Sequence, residues 1–265
     1  VKVEKRFSGG LQFLGHYTYS HANSFTDSYY SVDPRISYGP DPFSRNHVFV
    51  LSTVYELPFG RGKRFMSGSG RAMDLIIGGW QLSNTLNYSG GLPWTPSIGE
   101  CSQISDAGPC RPDAINGQSF DVGPKKVNGQ WYEFTPVAPL AYAVGPADAG
   151  VDSCSLARPT SGPFALPACG KVGNAGFDSF RGPRAFFSDM SLSKSFTVTE
   201  RIKAQFRFDA YNVFNHVVLG FNSNQGNTCI DCGGNAGQIT DIEGDGSPGS
   251  PTGMRQLQFG LRVTF

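Results

Sequence analysis

The sequence predicts an all-β fold, an antiparallel up-and-down transmembrane β-barrel segment of about seven strands belonging to a larger barrel. Three observations carry this reading. Two segments, Ile202–His216 and Gln256–Phe265, alternate apolar and polar residues with period two over many residues. The links between such segments alternate between tight turns and much longer Gly/Pro/Ser-rich stretches, as in outer-membrane barrels. No apolar run approaches the roughly 18 residues of a membrane helix, so a helical bundle in lipid is excluded while a barrel is not.

The elements follow in order. Val1–Phe7 alternates from its first residue, and an opening inside a strand predicts the C-terminal piece of a longer protein. Ser8-Gly9-Gly10 is a tight turn. Leu11, Phe13, Tyr17 and Tyr19 then alternate with Gln12, His16, Thr18 and Ser20, with Leu14 intruding on the polar face. His47–Leu57 is rich in strand formers, but its two faces are ambiguous. Phe59–Gly79 is a moderate link, with a short helix predicted over Arg71–Ile77 before Gly78-Gly79.

Trp80, Leu82, Leu86 and Tyr88 alternate with Gln81, Ser83, Thr85, Asn87 and Ser89. The long link that follows has room for a hairpin around Gln130–Phe134. Met190, Leu192 and Phe196 alternate with Asp189, Ser191, Ser193 and Ser195, and Lys194 breaks the apolar face. After the turn Thr197–Arg201, one face carries Ile202, Ala204, Phe206, Phe208, Ala210 and Phe214, interrupted by Asn212. The opposite face carries Lys203, Gln205, Arg207, Asp209 and Tyr211. The last segment sets Leu257, Phe259, Leu261, Val263 and Phe265 against Gln256, Gln258, Gly260, Arg262 and Thr264.

Alternation alone fits a water-soluble sheet with one buried face equally well. Strand length, unequal loops and the terminal Phe265 favour lipid, where only an apolar face is tolerated and every backbone group pairs along the sheet. Tyr17, Tyr19, Trp80, Tyr88 and Phe265, near strand ends, fit an interfacial aromatic girdle. Charged residues are only 16% and the net charge is +1, so no electrostatic footprint for nucleic acid exists.

The six cysteines fall into three local pairs in loop-like sequence: Cys101 with Cys110, Cys154 with Cys169, and Cys229 with Cys232. An even count in loops predicts disulfides and an oxidising compartment. Free thiols are a second reading. Metal or redox chemistry at the C-x-x-C of Cys229–Cys232 is a third, although no further zinc ligands follow and Gly233-Gly234-Asn235 starts a helix poorly.

Other motifs read as structure. Asp241–Gly246 is an acidic run without EF-hand spacing, which makes it a solvated loop. His16, His21, His47 and His216 show no metal spacing. Gly60-Arg61-Gly62-Lys63 lacks the form of a phosphate loop and reads as a turn. No Ser/His/Asp constellation stands out, so neither an enzyme nor a cofactor is expected. Asp209 and His216, read on one strand, fall on opposite faces.

A set of ordered stretches runs from end to end of the chain. It comprises Val3–Phe7, Val54-Tyr55-Glu56-Leu57-Pro58-Phe59-Gly60-Arg61-Gly62-Lys63, Gly78–Ser83, Ser89–Pro93, Arg111-Pro112-Asp113, Gly173-Asn174-Ala175-Gly176, Phe180-Arg181-Gly182-Pro183, Phe206–His216 and Arg255–Phe265. In this order and spacing the chain resembles the C-terminal barrel region of TonB-dependent outer-membrane receptors of the Oar-like, acidobacterial type. That group often carries a carboxypeptidase-regulatory-like N-terminal domain.

The resemblance implies a Gram-negative outer membrane and a barrel of about 22 strands around a plug, of which residues 1–265 form the C-terminal part. It implies energised uptake or surface binding of an unidentified small ligand, with the TonB complex engaged through the missing N-terminal region. It places the tight turns at the periplasmic rim and the cysteine-bearing long loops outside the cell. It makes Phe259, Leu261, Val263 and Phe265 the signal read by the barrel-assembly machinery. Lys203, Arg207, Asp209 and Arg262 become lumen-facing, lining a solute path or forming a hydrated ladder against the plug. The rivals are a non-transporting structural or adhesive surface protein, an outer-membrane enzyme with carboxylates and His at the outer rim, and a soluble β-protein.

Overall fold

The computed structural model describes residues 1–25, 34–98, 111–115, 123–134, 160–161, 164–165, 167, 173–197, 202–221, 225–230, 236–242 and 253–265. Seven strands form one antiparallel sheet in simple up-and-down order: β1 (Lys2–Ser8), β2 (Leu11–Tyr19), β3 (His47–Glu56), β4 (Trp80–Ser89), β5 (Ala185–Thr197), β6 (Lys203–Tyr211) and β7 (Gln256–Thr264). The predicted all-β, antiparallel architecture is therefore present. Helix α1 (Arg71–Ile77) lies between β3 and β4, where the sequence predicts a short helix.

Turn chemistry sets the register at one rim. Gly9 and Gly10 adopt φ of +61° and +83°, the left-handed pair of a two-residue hairpin whose twist matches its strands. Ser8 consequently pairs with Leu11. At the same rim Thr197 pairs with Lys203.

Register also settles the faces of β3. Phe49 stands between Tyr17 of β2 and Tyr88 of β4, and Leu51 between Gly15 and Leu86, so the odd residues of β3 join the apolar face. Val48, Val50 and Val54 then occupy the polar face. Those valines made the strand ambiguous as a sequence.

Two strand limits differ from expectation. β5 begins at Ala185 and runs 13 residues, because Ala185–Ser188 pair with Ser89–Leu86. β6 stops at Tyr211 instead of continuing to His216. Asn212 turns to φ +48°, its amide nitrogen donates to the carbonyls of His216 (2.9 Å) and Gly253 (2.8 Å), and its side-chain oxygen accepts from the His216 N–H (3.0 Å). An Asn that satisfies its own neighbours in this way competes with the ladder and ends it. Phe214 therefore leaves the strand face and sits against Phe186 at 6.0 Å. His216 is not on the strand at all.

The apolar face is not a buried core. Leu257, Phe259, Leu261 and Val263 are 46–70% exposed, and Phe265 is 94% exposed. The buried hydrophobic cluster instead comprises Trp94, Ile98, Phe134, Phe164, Phe221, Ile230 and Ile239, all outside the seven strands. A soluble sheet covers its apolar face with a second layer. Among the described residues no such layer exists.

Aromatic residues cross this face in a continuous row, Tyr17–Phe49–Tyr88–Phe186, each directly opposite the next on strands β2 to β5. Trp80 marks the other rim. From Trp80 to Tyr88, β4 covers roughly 27 Å at about 3.4 Å per residue. A barrel tilt of about 40° reduces that to about 20 Å, close to the apolar band of an outer-membrane barrel.

Lys194, which breaks the apolar alternation, has a structural reason. It pairs with Trp80 and Phe206 across the sheet. Its ammonium donates to the carbonyls of Ile76 (2.9 Å) and Gly78 (2.6 Å) and lies 5.1 Å from the Trp80 ring centroid. A cation at the carbonyl-rich end of α1 meets the negative pole of that helix.

Candidate functional site

On the rim opposite the tight turns, the long links fold into a cap of short ladders. Pro93–Trp94 pairs with Phe180–Arg181, Phe164–Ala165 bridges Thr160–Ser161 and Asp113–Ala114, and Leu219–Gly220 pairs with Asp241–Ile242. The expected hairpin forms as Lys125–Val127 and Gln130–Tyr132 around Asn128-Gly129, whose φ values of +49° and +87° suit a two-residue turn. Gln130–Tyr132 also pairs with Gln238–Ile239, joining the two long links.

Two quoted motifs far apart in sequence clasp each other here. Asn174 accepts from the Ala114 N–H at 2.7 Å and donates its own N–H to Asp113 at 2.9 Å. A side chain at Gly173 would stand 2.1 Å from the Pro112 carbonyl oxygen, so only Gly permits the approach.

Aromatic rings hold the cap together. Trp94 stacks on Phe134 at 5.8 Å and meets Phe221 edge-on at 4.8 Å, while Phe164 contacts Phe134 and Phe180 at 5.3 and 5.2 Å. Such pairs contribute about 0.5–1.5 kcal/mol each beyond their buried area.

Charged groups are built into this apolar surrounding. Arg181 donates to the Ser44 carbonyl at 2.5 Å and to Asn46 at 2.8 Å, and Arg45 donates to the Gly90 carbonyl at 2.6 Å. Arg111, 6% exposed, donates to the Ile36 carbonyl at 2.8 Å and leaves its Nε unpartnered. Burial pulls all three guanidinium groups below their ordinary range, offset at Arg181 by Asp178.

Two carboxyl groups accompany them. Asp178 accepts from the Thr95 hydroxyl at 2.8 Å and returns its backbone N–H to the same oxygen. Burial raises its pKa; the Thr95 bond and Arg181 oppose that rise, and Asp41 adds to it. Glu133 is fully buried, and neither of its carboxylate oxygens has a hydrogen-bond partner. Burial alone pushes it up to about 8, so it is a neutral acid at pH 7.

The residues singled out by sequence fall elsewhere. Lys203, Arg207, Asp209 and Arg262 share the polar face of β6 and β7. Only the middle two are brought together: Arg207 Nε donates to Asp209 at 2.7 Å and to the Ser191 hydroxyl at 3.2 Å. Phe259, Leu261 and Val263 lie on edge strand β7, with Phe265 just beyond it.

Cys229 is 3% exposed, beside Ser97 in an isolated bridge. Cys101, Cys110, Cys154, Cys169 and Cys232 lie outside the described residues, so the three local pairings do too. Most of the acidic run 241–246 is likewise outside them.

Sequence reading missed Glu133, Asp178, Arg45 and Thr95 as members of a site. Arg181 and Arg111 were present only as parts of quoted motifs. The available signal was a charged residue embedded in aromatic or Pro/Gly sequence, as in Trp131-Tyr132-Glu133-Phe134. Chemically the cap holds fixed donors, one neutral acid and an aromatic wall, which suits recognition. Among the described residues no group of three His, Cys, Asp or Glu side chains is placed to hold a metal ion.

Residues 1–258 match the family described as an outer membrane beta barrel domain. No curated protein and no solved structure matches the chain.

Proposed function

Starting from a chain that belongs to the outer membrane beta barrel domain family and resides in the outer membrane, we propose that it forms the C-terminal part of the barrel of a TonB-dependent receptor of the Oar-like type. The carrying observation is the sheet itself. It has a bare apolar face and two edges, β1 and β7, to which no described strand is paired. Hydrocarbon admits a sheet only when every edge is closed. Seven strands are also fewer than the eight of the smallest closed barrels. In this reading further strands complete the wall, and a plug fills the wide lumen that a barrel of about 22 strands encloses.

In this reading Lys203, Arg207, Asp209 and Arg262 face the lumen, and the arginine-rich aromatic cap faces outward, where it meets an unidentified small ligand. The TonB complex pulls on the plug, and the barrel-assembly machinery reads the apolar alternation of Phe259 to Phe265. The local cysteine pairs close as disulfides outside the cell. The protein has no catalytic role. A purely adhesive or structural surface protein shares the barrel and differs in lacking energised uptake.

The test is a blot of native outer membranes, boiled and unboiled, with an antibody to residues 101–170, followed by capture on immobilised TonB periplasmic domain. A heat-modifiable band several-fold larger than 28.5 kDa that binds TonB is expected. A band of 28.5 kDa, or a large one that ignores TonB, overturns the receptor reading.

A further inference from the structure

The link between β3 and β4 is much longer than the other connections of the tight-turn rim. It is ordered and stitched to itself: Gly60 N–H donates to the Phe65 carbonyl (3.1 Å), Phe65 N–H to the Pro58 carbonyl (3.0 Å), and Arg61 N–H to Asp74 (2.5 Å). A side chain at Gly60, φ +113°, would stand 2.6 Å from that Asp74 oxygen, so loop and helix meet only over a glycine.

Despite this order, α1 buries none of its residues and has no side-chain cap at its N-terminus. An isolated helix of this length is marginal in water, so α1 depends on what it is held against. Its apolar side chains are turned outward: Met73, Leu75 and Ile76 are 48, 50 and 68% exposed. Phe59, Phe65 and Met66 in the same link are 41, 47 and 52% exposed.

The position of this surface names what covers it. Lys194 and Trp80 are both on the apolar face of the sheet, where Trp80 meets Phe206 edge-on at 6.4 Å. Both side chains donate to the Ile76 carbonyl, Trp80 Nε1 at 3.0 Å and Lys194 Nζ at 2.9 Å. The C-terminal end of α1 is thus held on the outside of the wall, continuous with the lipid-facing surface, and not beneath the lumen. The link also carries four cations, Arg61, Lys63, Arg64 and Arg71, against one acid, Asp74, and Lys63 is paired with Glu56 of β3 at 2.9 Å. Arg64 lies 5.6 Å from the Phe65 ring centroid, a basic head beside an apolar body.

We propose that Phe59–Gly79 is an interfacial lipid-docking element, with Met73, Leu75 and Ile76 in the acyl boundary of the adjoining leaflet and its cations on anionic phospholipid headgroups. An exposed apolar helix beside basic residues at the hydrocarbon edge is the arrangement that binds in the membrane plane. Lys194 and Trp80 act as the clamp that fixes its depth. The inference rests on the outer-membrane location and not on the receptor reading, so each stands or falls separately.

The test uses the whole native protein reconstituted in vesicles of phosphatidylethanolamine and phosphatidylglycerol. Leu75→Trp adds a reporter, read as the difference from wild type, and heat-modifiability checks that each preparation is folded. Lipids brominated near the top of the acyl chain should quench the added emission at least about two-fold more than aqueous acrylamide does. Lys194→Gln in the same background should reduce that preference. Greater quenching by acrylamide, or shielding from both quenchers as a second copy or partner protein would give, overturns the proposal. Equal quenching when neutral phosphatidylcholine replaces phosphatidylglycerol overturns the role assigned to the cations.

Discussion

Replacing Glu133 with Gln should abolish a pH dependence that the wild-type cap carries. In the folded cap the Glu133 carboxyl has no hydrogen-bond partner and ionises only at about 8, against 4.5 when solvated. The unfolded cap therefore loses this proton first. Between those two pH values the folded form holds one proton more, so stability falls as pH rises. It is fully present below pH 4.5, declines by about 1.4 kcal/mol per pH unit, and levels off above pH 8.

The whole span comes to about 5 kcal/mol, and about 3 kcal/mol is already lost at pH 7. Gln is close in shape to the neutral acid and leaves comparable polar atoms unpaired. The variant should match wild type near pH 4.5 and exceed it progressively above. The assay is hydrogen exchange of the amides in 123–134 and 236–242, expressed as protection relative to the free peptide so that intrinsic rates cancel. Wild-type protection should fall by up to about three orders of magnitude from pH 4.5 to 8 while the variant stays level. Parallel curves for the two proteins would refute the reasoning.

Three further outcomes are expected. Asn212→Ala removes three hydrogen bonds and strains a left-handed residue, costing about 3 kcal/mol in urea titrations of the heat-modifiable form. Asn212→Gly should recover about 1 kcal/mol of that, because glycine accepts the same φ. Phe265→Ser should lower the yield of heat-modifiable protein in the outer membrane without changing its midpoint of unfolding; unchanged yield would remove the assembly role. Thiol labelling of the denatured protein should rise sharply after reduction, and equal labelling with and without reductant would exclude disulfides.

Much of the barrel wall was legible because its signals are local. Period-two alternation follows from the pleat, so Trp80–Ser89 and Gln256–Thr264 could be read from their own residues. The same is true of the Gly9-Gly10 turn, whose φ values few other residues tolerate, and of α1, bounded by Gly70 and Gly78. Where one segment presents apolar residues on both sides, alternation fails: β3 needed Phe49 to be set opposite Tyr17 and Tyr88 before its faces had meaning.

The cap was not legible. Each of its contacts joins groups far apart in the chain, as Thr95 does with Asp178 and Arg181 with Ser44, and no periodicity announces them. The same holds for Lys194, an apparent flaw in an apolar stripe until α1 folds back and offers it two carbonyls. Alternation and turn propensity, fixed by covalent geometry over a few residues, were thus determined by the sequence itself. Which charges are buried and which strand ends early at Asn212 depend on hydrogen bonds between distant segments, and only the tertiary structure decided them.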